Sequence, residues 1–201
     1  MDNLSPNLQT VVRWIKPNSR VLDLGCGSGT LLSILTEQKN IQGLGLEIDP
    51  DNILQCVSKG LSVVEHDLNT GLSRFDDASF DTVIMTQTLQ AIERPDLILD
   101  EMLRLGKDCI VTFPNFGHWQ PRSYLLFKGR MPVSDYLPYS WYDSPNIHFF
   151  TVNDFETLLT DKGYRILNKR MVAQKKGIQT QLCQFWPNLF AETAVYHLAK
   201  F

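Results

Sequence analysis

Three glycines alternate with other residues directly after an apolar stretch near the start of the chain. The run Asp23-x-Gly25-x-Gly27-x-Gly29 follows a predicted strand and leads into a predicted helix. Because glycine carries no side chain, the backbone of such a turn can approach a nucleoside-bearing ligand closely. A dinucleotide-binding turn reads Gly-x-Gly-x-x-Gly, but Thr30 stands at its third glycine position. Since an acid at position 23 would also repel a pyrophosphate, the pattern predicts a ligand with a cationic group.

Two further carboxylates end the next two predicted strands. Glu47 closes the second strand about 20 residues after the glycine turn, where nucleoside sites accept hydrogen bonds from a ribose diol. Asp49 precedes Pro50, so we expect Asp49 to cap the following helix rather than to bind ligand. Asp67 follows the third strand. The sequence therefore predicts that Asp23, Glu47 and Asp67 lie at one edge of a parallel sheet.

In their order and separations, these elements resemble the corresponding motifs of class I S-adenosylmethionine (SAM) methyltransferases. The resemblance implies that SAM or S-adenosyl-L-homocysteine binds with its cationic end near Asp23, its ribose at Glu47 and its adenine amino group at Asp67. Cys26 is expected to be a small, nearly apolar neighbour of the ligand. The glycines alone would leave an ordinary strand-to-helix turn as the alternative. The predicted cofactor-binding residues are Asp23, Gly25, Cys26, Gly27, Gly29, Glu47, Ile48, Asp67, Leu68 and Gln87.

Predicted strands and helices alternate along the chain. Residues 164–201 read as two final strands joined by a polar stretch at 174–181. The expected fold is α/β: the Rossmann-like class I methyltransferase fold, a seven-stranded mostly parallel sheet with an antiparallel C-terminal strand and helices on both faces. We expect a single domain over residues 1–201. The earlier predicted strands are 20–24, 42–47, 62–66, 80–86 and 108–113, and the predicted helices are 29–38, 50–58 and those beginning at Pro6, Pro95 and Thr151.

Composition limits the classes of partner. With 201 residues, 43% of them hydrophobic, the chain can bury one substantial core. Its formal net charge of −3 provides no basic field for nucleic acid, and no apolar run of about 20 residues could span a membrane. The four cysteines form no Cys-x-x-Cys pair. Reduced thiols in the cytoplasm are therefore expected, and no metal site.

An aromatic-rich insertion occupies about residues 114–150. Residues 113–150 hold eleven of the chain's 21 aromatic residues and five prolines. Because this segment follows the fifth strand, it should cover the carboxyl edge of the sheet, where ligands of open α/β sheets bind. A connection of this length is usually a lid or a binding surface. A flap whose aromatic side chains only pack on the core is the alternative.

Four runs resemble a narrower family, that of the methionine biosynthesis protein MetW, and the similarity extends over essentially the whole chain. The resemblance implies the methyltransferase fold and a partner, homoserine O-acyltransferase, which activates homoserine by acetyl or succinyl transfer. Trp, Tyr and Arg are enriched at the hot spots of protein interfaces. Because they cluster in the aromatic-rich insertion, we predict partner contacts at four residues: Trp119, Arg122, Trp141 and Tyr142. The runs that carry the resemblance are TQTLQA at 86–91, FPNFGHW at 113–119, GRMPV at 129–133 and WYDSPNIH at 141–148.

Whether the chain is an enzyme stays open at this point. Methyl transfer needs mainly alignment of the nucleophile, and it needs a base only when the nucleophile is protonated. Related small-molecule methyltransferases carry Leu-x-His after the fourth strand, whereas this chain has Ala91 in place of the histidine. His118 and His148 remain as candidate bases, and Gln87 could orient the ligand near its methyl end.

Two hypotheses therefore follow, and we favour the second. In the first, the chain is a SAM-dependent methyltransferase that acts on a small metabolite under the aromatic segment. In the second, it holds SAM while the aromatic segment docks on homoserine O-acyltransferase and activates it. A nicotinamide-dependent oxidoreductase would share the fold, but Thr30 at the third glycine position disfavours it.

Overall fold

The computed structural model describes residues 4–134, 137–173 and 178–200, and within them seven strands form one mixed sheet. Tyr136, one of the aromatic residues of the insertion, lies outside these ranges. The sheet order is β3-β2-β1-β4-β5-β7-β6 for strands β1 (Arg20–Leu24), β2 (Gln42–Glu47), β3 (Val63–Glu65), β4 (Phe80–Thr86), β5 (Gly106–Pro114), β6 (Arg165–Val172) and β7 (Thr193–Ala199).

Strand direction confirms the predicted fold. Strands β1 to β5 pair in parallel, and β7 runs antiparallel between β5 and β6. In the register of the parallel strands, Asp23 lies beside Gly45 and Glu47 beside Glu65. The carboxyl ends of β1, β2 and β3 therefore meet at one edge of the sheet, as the predicted positions of the acids required.

Helices cover both faces of the sheet. Alternating residues of the central strands point to opposite sides, so Ile84 belongs to one buried cluster and Val83 to the other. The first cluster includes residues of α1, α2 and α3, and the second includes residues of α4 and α6. The helices are α1 (Pro6–Trp14), α2 (Thr30–Lys39), α3 (Pro50–Ser58), α4 (Pro95–Leu105), α5 (Trp119–Lys128), α6 (Val152–Asp161), α7 (Ile178–Phe185) and α8 (Pro187–Phe190), with 3-10 turns at Leu68–Thr70 and Leu89–Ala91.

Local hydrogen bonds explain where two of these helices begin. Asp49 Oδ1 accepts the backbone amides of Asp51 and Asn52 at 2.8 and 3.1 Å, which confirms the predicted cap of α3. Thr151 and Asp154 form the predicted reciprocal capping box at the start of α6.

The connection between β6 and β7 was predicted wrongly. In place of a polar loop that continues to residue 181, the described residues form α7 from Ile178 and then the short α8. Residues 174–177 lie outside the described ranges. The aromatic segment also contains a helix, α5, that the sequence did not predict. The N-cap of α5 is His118, where Ser, Thr, Asp or Asn is usual, so the common capping signal is missing.

Asn115 joins the end of β5 to the start of α6 and to α8. Its side chain is fully buried and makes four hydrogen bonds with backbone groups. Its Oδ1 accepts the amides of Gly117 and Val152 at 3.0 and 3.2 Å, while Nδ2 donates to the carbonyls of Asn188 and Ala191 at 3.1 and 2.8 Å. The amide thereby fixes the point at which the aromatic segment leaves the sheet.

Candidate functional site

The glycine turn lies at the carboxyl end of β1. Gly25, Gly27 and Gly29 have φ values of +73°, +54° and +73°, which side chains disfavour. A Cβ added to Gly25 would lie 2.7 Å from Thr88 Oγ1, so only glycine fits there, whereas a Cβ on Gly27 would meet no atom within 4 Å. The backbone at Gly27 is therefore open to an approaching ligand. The contact with Thr88 could not be predicted from local sequence, because it joins positions far apart in the chain.

Glu47 holds the glycine turn as well as ending β2. Its carboxylate is buried. Oε2 accepts the amide of Gly27 at 2.7 Å, and Oε1 accepts the amides of Ile48 and Asp49 at 2.9 and 3.0 Å. A carboxylate oxygen can accept more than one hydrogen bond, so capacity for further donors remains. The geometry brings the predicted ribose-binding acid into direct contact with the glycine turn.

Asp23 is the buried acid of the site. It is almost fully inaccessible, and its Oδ1 has no hydrogen-bond partner among the described residues. Burial, and secondly the negative charge of Glu47, raise the pKa of Asp23 to about 7. A buried acceptor of this kind is costly unless a donor or cation meets it. A cation bound beside Asp23 would therefore favour the ionised form of its carboxyl group.

The third acid follows β3. Asp67 is half-buried, and its Oδ1 accepts the amide of Asn69 at 2.9 Å as the cap of the 3-10 turn. Leu68 is buried in the core, whereas Ile48, directly after Glu47, is exposed. Asp67 is tied to the same edge through the amide of His66, which donates to the Glu47 carbonyl at 2.9 Å.

Gln87 follows β4 at the same edge. Its φ of +57° is unusual for a residue with a side chain. The strained backbone is held because the Gln87 amide donates to the carbonyl and to Oγ1 of Thr112, at 3.0 and 3.1 Å. The Gln87 side chain is exposed.

Cys26 lies inside the glycine turn, buried as expected of a small, nearly apolar residue. Its Sγ lies 3.9 Å from Sγ of Cys56 on α3, and both thiols are free. Burial raises the pKa of the Cys26 thiol well above its usual range. The pair therefore packs the turn against α3, with Cys26 as a neutral thiol.

The two candidate histidines differ in position. His118 is fully buried, and its Nδ1 accepts the amide of Gln120 at 3.4 Å at the start of α5. Burial lowers the pKa of His118 to about 4, so the ring is neutral at pH 7. His148 is half-buried, with Nε2 3.2 Å from the carbonyl oxygen of Glu93. The geometry thus gives His118 the position of a helix cap.

The predicted partner residues lie at the surface. Trp141 is 76% exposed and Tyr142 73%, and their rings meet edge to face at 5.7 Å between centroids. Trp119 and Arg122 are also exposed, and Arg122 Nε donates to the Gly117 carbonyl. We name the exposed large side chains of this segment the aromatic surface: Trp119, Tyr124, Leu125, Leu126, Phe127, Val133, Tyr139, Trp141, Tyr142, Ile147 and Phe149.

The described residues contain neither a helix that could span a membrane nor a metal-binding cluster. None of the helices there is both long and apolar enough to cross a bilayer. In the same ranges, no group of three or more His, Cys, Asp or Glu side chains could hold a metal ion.

Comparison with known proteins places this geometry in context. Residues 5–198 match the family model described as Methionine biosynthesis protein MetW. The Bifunctional methionine biosynthesis protein MetXA/MetW of Rhodopirellula baltica is 36% identical to this chain over 201 residues. That alignment covers 96% of this chain and 32% of the relative, so the chain spans about a third of the curated relative's length.

Solved structures with the same fold are more distant in sequence. A SAM-dependent methyltransferase from Mesorhizobium loti has a TM-score of 0.69 at 16% identity, covering 98% of both chains. One from Archaeoglobus fulgidus has a TM-score of 0.68 at 18% identity and covers 96% of this chain and 91% of the other. At such identities the likeness shows the fold alone.

Proposed function

The chain belongs to the MetW family of methionine biosynthesis proteins, and from this we propose that it binds SAM or S-adenosyl-L-homocysteine and activates homoserine O-acyltransferase by docking. The proposal has two parts, a cofactor cradle at the glycine turn and a partner contact at the aromatic surface. Each part is supported by separate observations and is tested separately.

The residues at the sheet edge fit SAM. Asp23 Oδ1 is a buried acceptor without a partner among the described residues, and the ammonium of the SAM amino-acid end is a suitable donor. The backbone at Gly27 is open, so the ligand can approach the turn. Glu47 retains capacity to accept the ribose hydroxyls while it holds the Gly27 amide. The single observation that carries the cofactor proposal is the buried carboxylate oxygen Oδ1 of Asp23, which has no hydrogen-bond partner within the described ranges.

When bound, SAM supplies a sulfonium charge and a transferable methyl group. The chain's own residues then have holding roles. Asp23 stabilises the cationic end, Glu47 fixes the ribose, and Asp67 accepts the adenine amino group. Ile48 offers an exposed apolar side chain for contact with the adenine ring, and Gln87 orients the ligand at the end of β4.

The partner role is favoured over catalysis by the histidine geometry. His118 is buried and serves as a helix cap, which leaves it little access to a substrate. Its pKa of about 4 makes it a weak base near pH 7. His118 is therefore a poor base for acceptors that need deprotonation, which leaves His148 as the other candidate. A protein that senses SAM needs no such group.

The partner contact is supported by exposure and by the relative's organisation. Exposed apolar surface on this scale is typical of interaction sites, and Trp, Tyr and Arg are enriched at binding hot spots. The Rhodopirellula baltica relative is named for both MetXA and MetW in one polypeptide. We infer that MetXA is the acyltransferase and that fusion keeps two contacting proteins together.

The test is an acyltransferase assay with and without this chain, alongside a SAM-turnover assay. Changing Trp141 and Tyr142 to Ala should reduce activation and partner affinity by at least tenfold, about 1.4 kcal/mol or more, as expected for interface aromatics. The matched control changes Phe185 and Trp186 to Ala, because these side chains are 75% and 60% exposed but lie outside the aromatic segment. Activation that survives the first pair, or no activation by the unaltered chain, would refute the docking proposal.

A second candidate function is methyl transfer to a small metabolite. The intact cradle of Asp23 and Glu47 favours it, because that geometry serves a methyl donor as well as a sensor. Turnover of SAM with a panel of small nucleophiles, without activation of the acyltransferase, would select this function over docking.

A further inference from the structure

Residues 87–93 contact the cofactor cradle at two points, and we name them the bridge segment. The side chain of Thr88 packs so closely on the glycine turn that a Cβ at Gly25 would lie 2.7 Å from its Oγ1. Farther along, the amide of Glu93 donates to Asn69 Oδ1 at 3.0 Å. Asn69 is itself bound to Asp67, whose carboxylate accepts its amide. The bridge segment is thus in contact with both ends of the proposed adenosyl site.

The bridge segment also holds the end of the aromatic segment. The amides of Ile147 and His148 both donate to the carbonyl of Gln90, each at 3.0 Å. His148 Nε2 adds a contact of 3.2 Å to the Glu93 carbonyl. Residues 147 and 148 follow Trp141 and Tyr142 by only a few positions. A shift of the bridge segment would therefore displace this end of the aromatic surface.

Two features of the bridge segment are energetically unfavourable. Gln87, its first residue, has a φ of +57°. Gln90 is buried, with Nε2 donating to the Gln87 carbonyl at 2.7 Å, but its Oε1 has no partner among the described residues. A strained backbone next to an unsatisfied buried acceptor is a place where a second arrangement can lie close in free energy.

We propose that the bridge segment couples cofactor binding to partner docking, an inference that rests on the proposed function. A ligand held by the glycine turn and Asp67 favours one position of Thr88 and Glu93, and this position sets residues 147 and 148. Binding at either site can shift the other only through such differential contacts. By linkage, binding of the acyltransferase must then change the affinity for S-adenosyl-L-homocysteine by a certain factor. Binding of S-adenosyl-L-homocysteine must change the affinity for the acyltransferase by the same factor.

The test measures that factor by calorimetry on the full chain, with S-adenosyl-L-homocysteine as the cofactor probe and homoserine O-acyltransferase as the partner. Each affinity is measured with and without the other ligand. We expect a reciprocal change of about fivefold or more in the unaltered chain. Asn69→Ala should reduce it below twofold while each separate affinity stays within about twofold. Asn153→Ala, an exposed asparagine on α6, is the matched control and should retain the full factor.

Hydrogen exchange gives an independent reading that needs no partner. S-adenosyl-L-homocysteine alone should slow exchange at the Ile147 and His148 amides in the unaltered chain, and Gln90→Met should weaken this protection because the side-chain link to Gln87 is lost. If both ligands bind but neither changes the other's affinity, the coupling inference is wrong and the proposed function stands. If the acyltransferase does not bind, both the coupling inference and the proposed docking fail. Coupling unchanged by Asn69→Ala would also overturn the proposed route.

Discussion

The proposed cofactor cradle and the aromatic surface differ in how their side chains are held. The first is buried and hydrogen-bonded, and the second is exposed to solvent. In the cradle, Glu47 is buried and bonded to three backbone amides, and the three glycines shape the turn. In the aromatic surface, large side chains such as Trp141 and Tyr142 stay in solvent. A turn that is already held by hydrogen bonds loses little freedom when a ligand binds, whereas exposed apolar area contributes free energy only when another surface covers it.

This contrast separates what holds the fold from what contacts other molecules. Substitutions at buried, backbone-bonded side chains should lower the free energy of unfolding, and substitutions at the exposed aromatic residues should change binding alone. The following experiments test that division in order of the expected size of their effects.

The largest effect is expected at the base of the aromatic segment. Asn115→Ala removes four hydrogen bonds and leaves the buried amides of Gly117 and Val152 without their acceptor. We expect a loss of about 3–4 kcal/mol in the free energy of unfolding, since each buried unpaired group costs about 1–3 kcal/mol. Urea denaturation measures it, with Asn153→Ala as the control, expected within about 0.5 kcal/mol of the unaltered chain. A cost below about 1 kcal/mol would show that the segment is anchored elsewhere.

Glu47→Ala should combine a stability effect with a binding effect. The substitution frees three backbone amides, including that of Gly27, and removes the proposed ribose acceptor. We expect about 2–3 kcal/mol lower stability and SAM binding weakened by about 1.5–3 kcal/mol, the range for charge-assisted hydrogen bonds. Titration calorimetry of the folded variant measures the second quantity. Unchanged SAM affinity would show that Glu47 does not bind the ribose. Its role would then be to hold the three backbone amides.

The sequence predicted the secondary structure around the glycine turn better than that of the aromatic segment, for a physical reason. Strand-end acids and alternating glycines are local signals, so the bounds of β1 and β2 and the cap at Asp49 were confirmed. The packing of Thr88 on Gly25 joins positions far apart in the chain. The N-cap of helix α5 is His118, which is not one of the residue types that commonly cap a helix. The missed helix α7 begins within a polar stretch whose composition resembles that of a loop. Tertiary context, which a single sequence does not display, determines the contact of Thr88 with Gly25.

Asp23 should make cofactor affinity depend on pH. With a pKa of about 7, the carboxyl is mostly protonated at pH 6 and mostly ionised at pH 7.5, so affinity for the cationic ligand should rise roughly tenfold over this interval. Both pH values lie below the usual pKa of an α-amino group, which is about 7.7–8.0, so the ammonium of the ligand stays mostly protonated. Calorimetry at several pH values tests this, and Asp23→Asn should give weak binding without the pH dependence. A flat profile in the unaltered chain would show that Asp23 does not face the cation.

The same titration should affect the free protein in the opposite sense. Because the folded-state pKa of Asp23 is raised, the native state binds more protons than the unfolded state between about pH 4 and pH 7. Its contribution to stability is therefore present at low pH and is lost as the pH rises to about 7. Asp23→Asn should remove this loss. A carboxyl that weakens the fold but strengthens ligand binding is the trade-off expected of a functional group.

The smallest effect on stability is expected at the aromatic surface. Changing Trp141 and Tyr142 to Ala removes side chains that are mostly in solvent, so the free energy of unfolding should change by less than about 0.5 kcal/mol. Urea denaturation measures it beside the partner-binding assay. Loss of partner affinity at unchanged stability would place these rings in an interface, because a core role would move both quantities together. A stability loss above about 1 kcal/mol would instead mean that the rings pack against the fold, which would favour a flap over a docking surface.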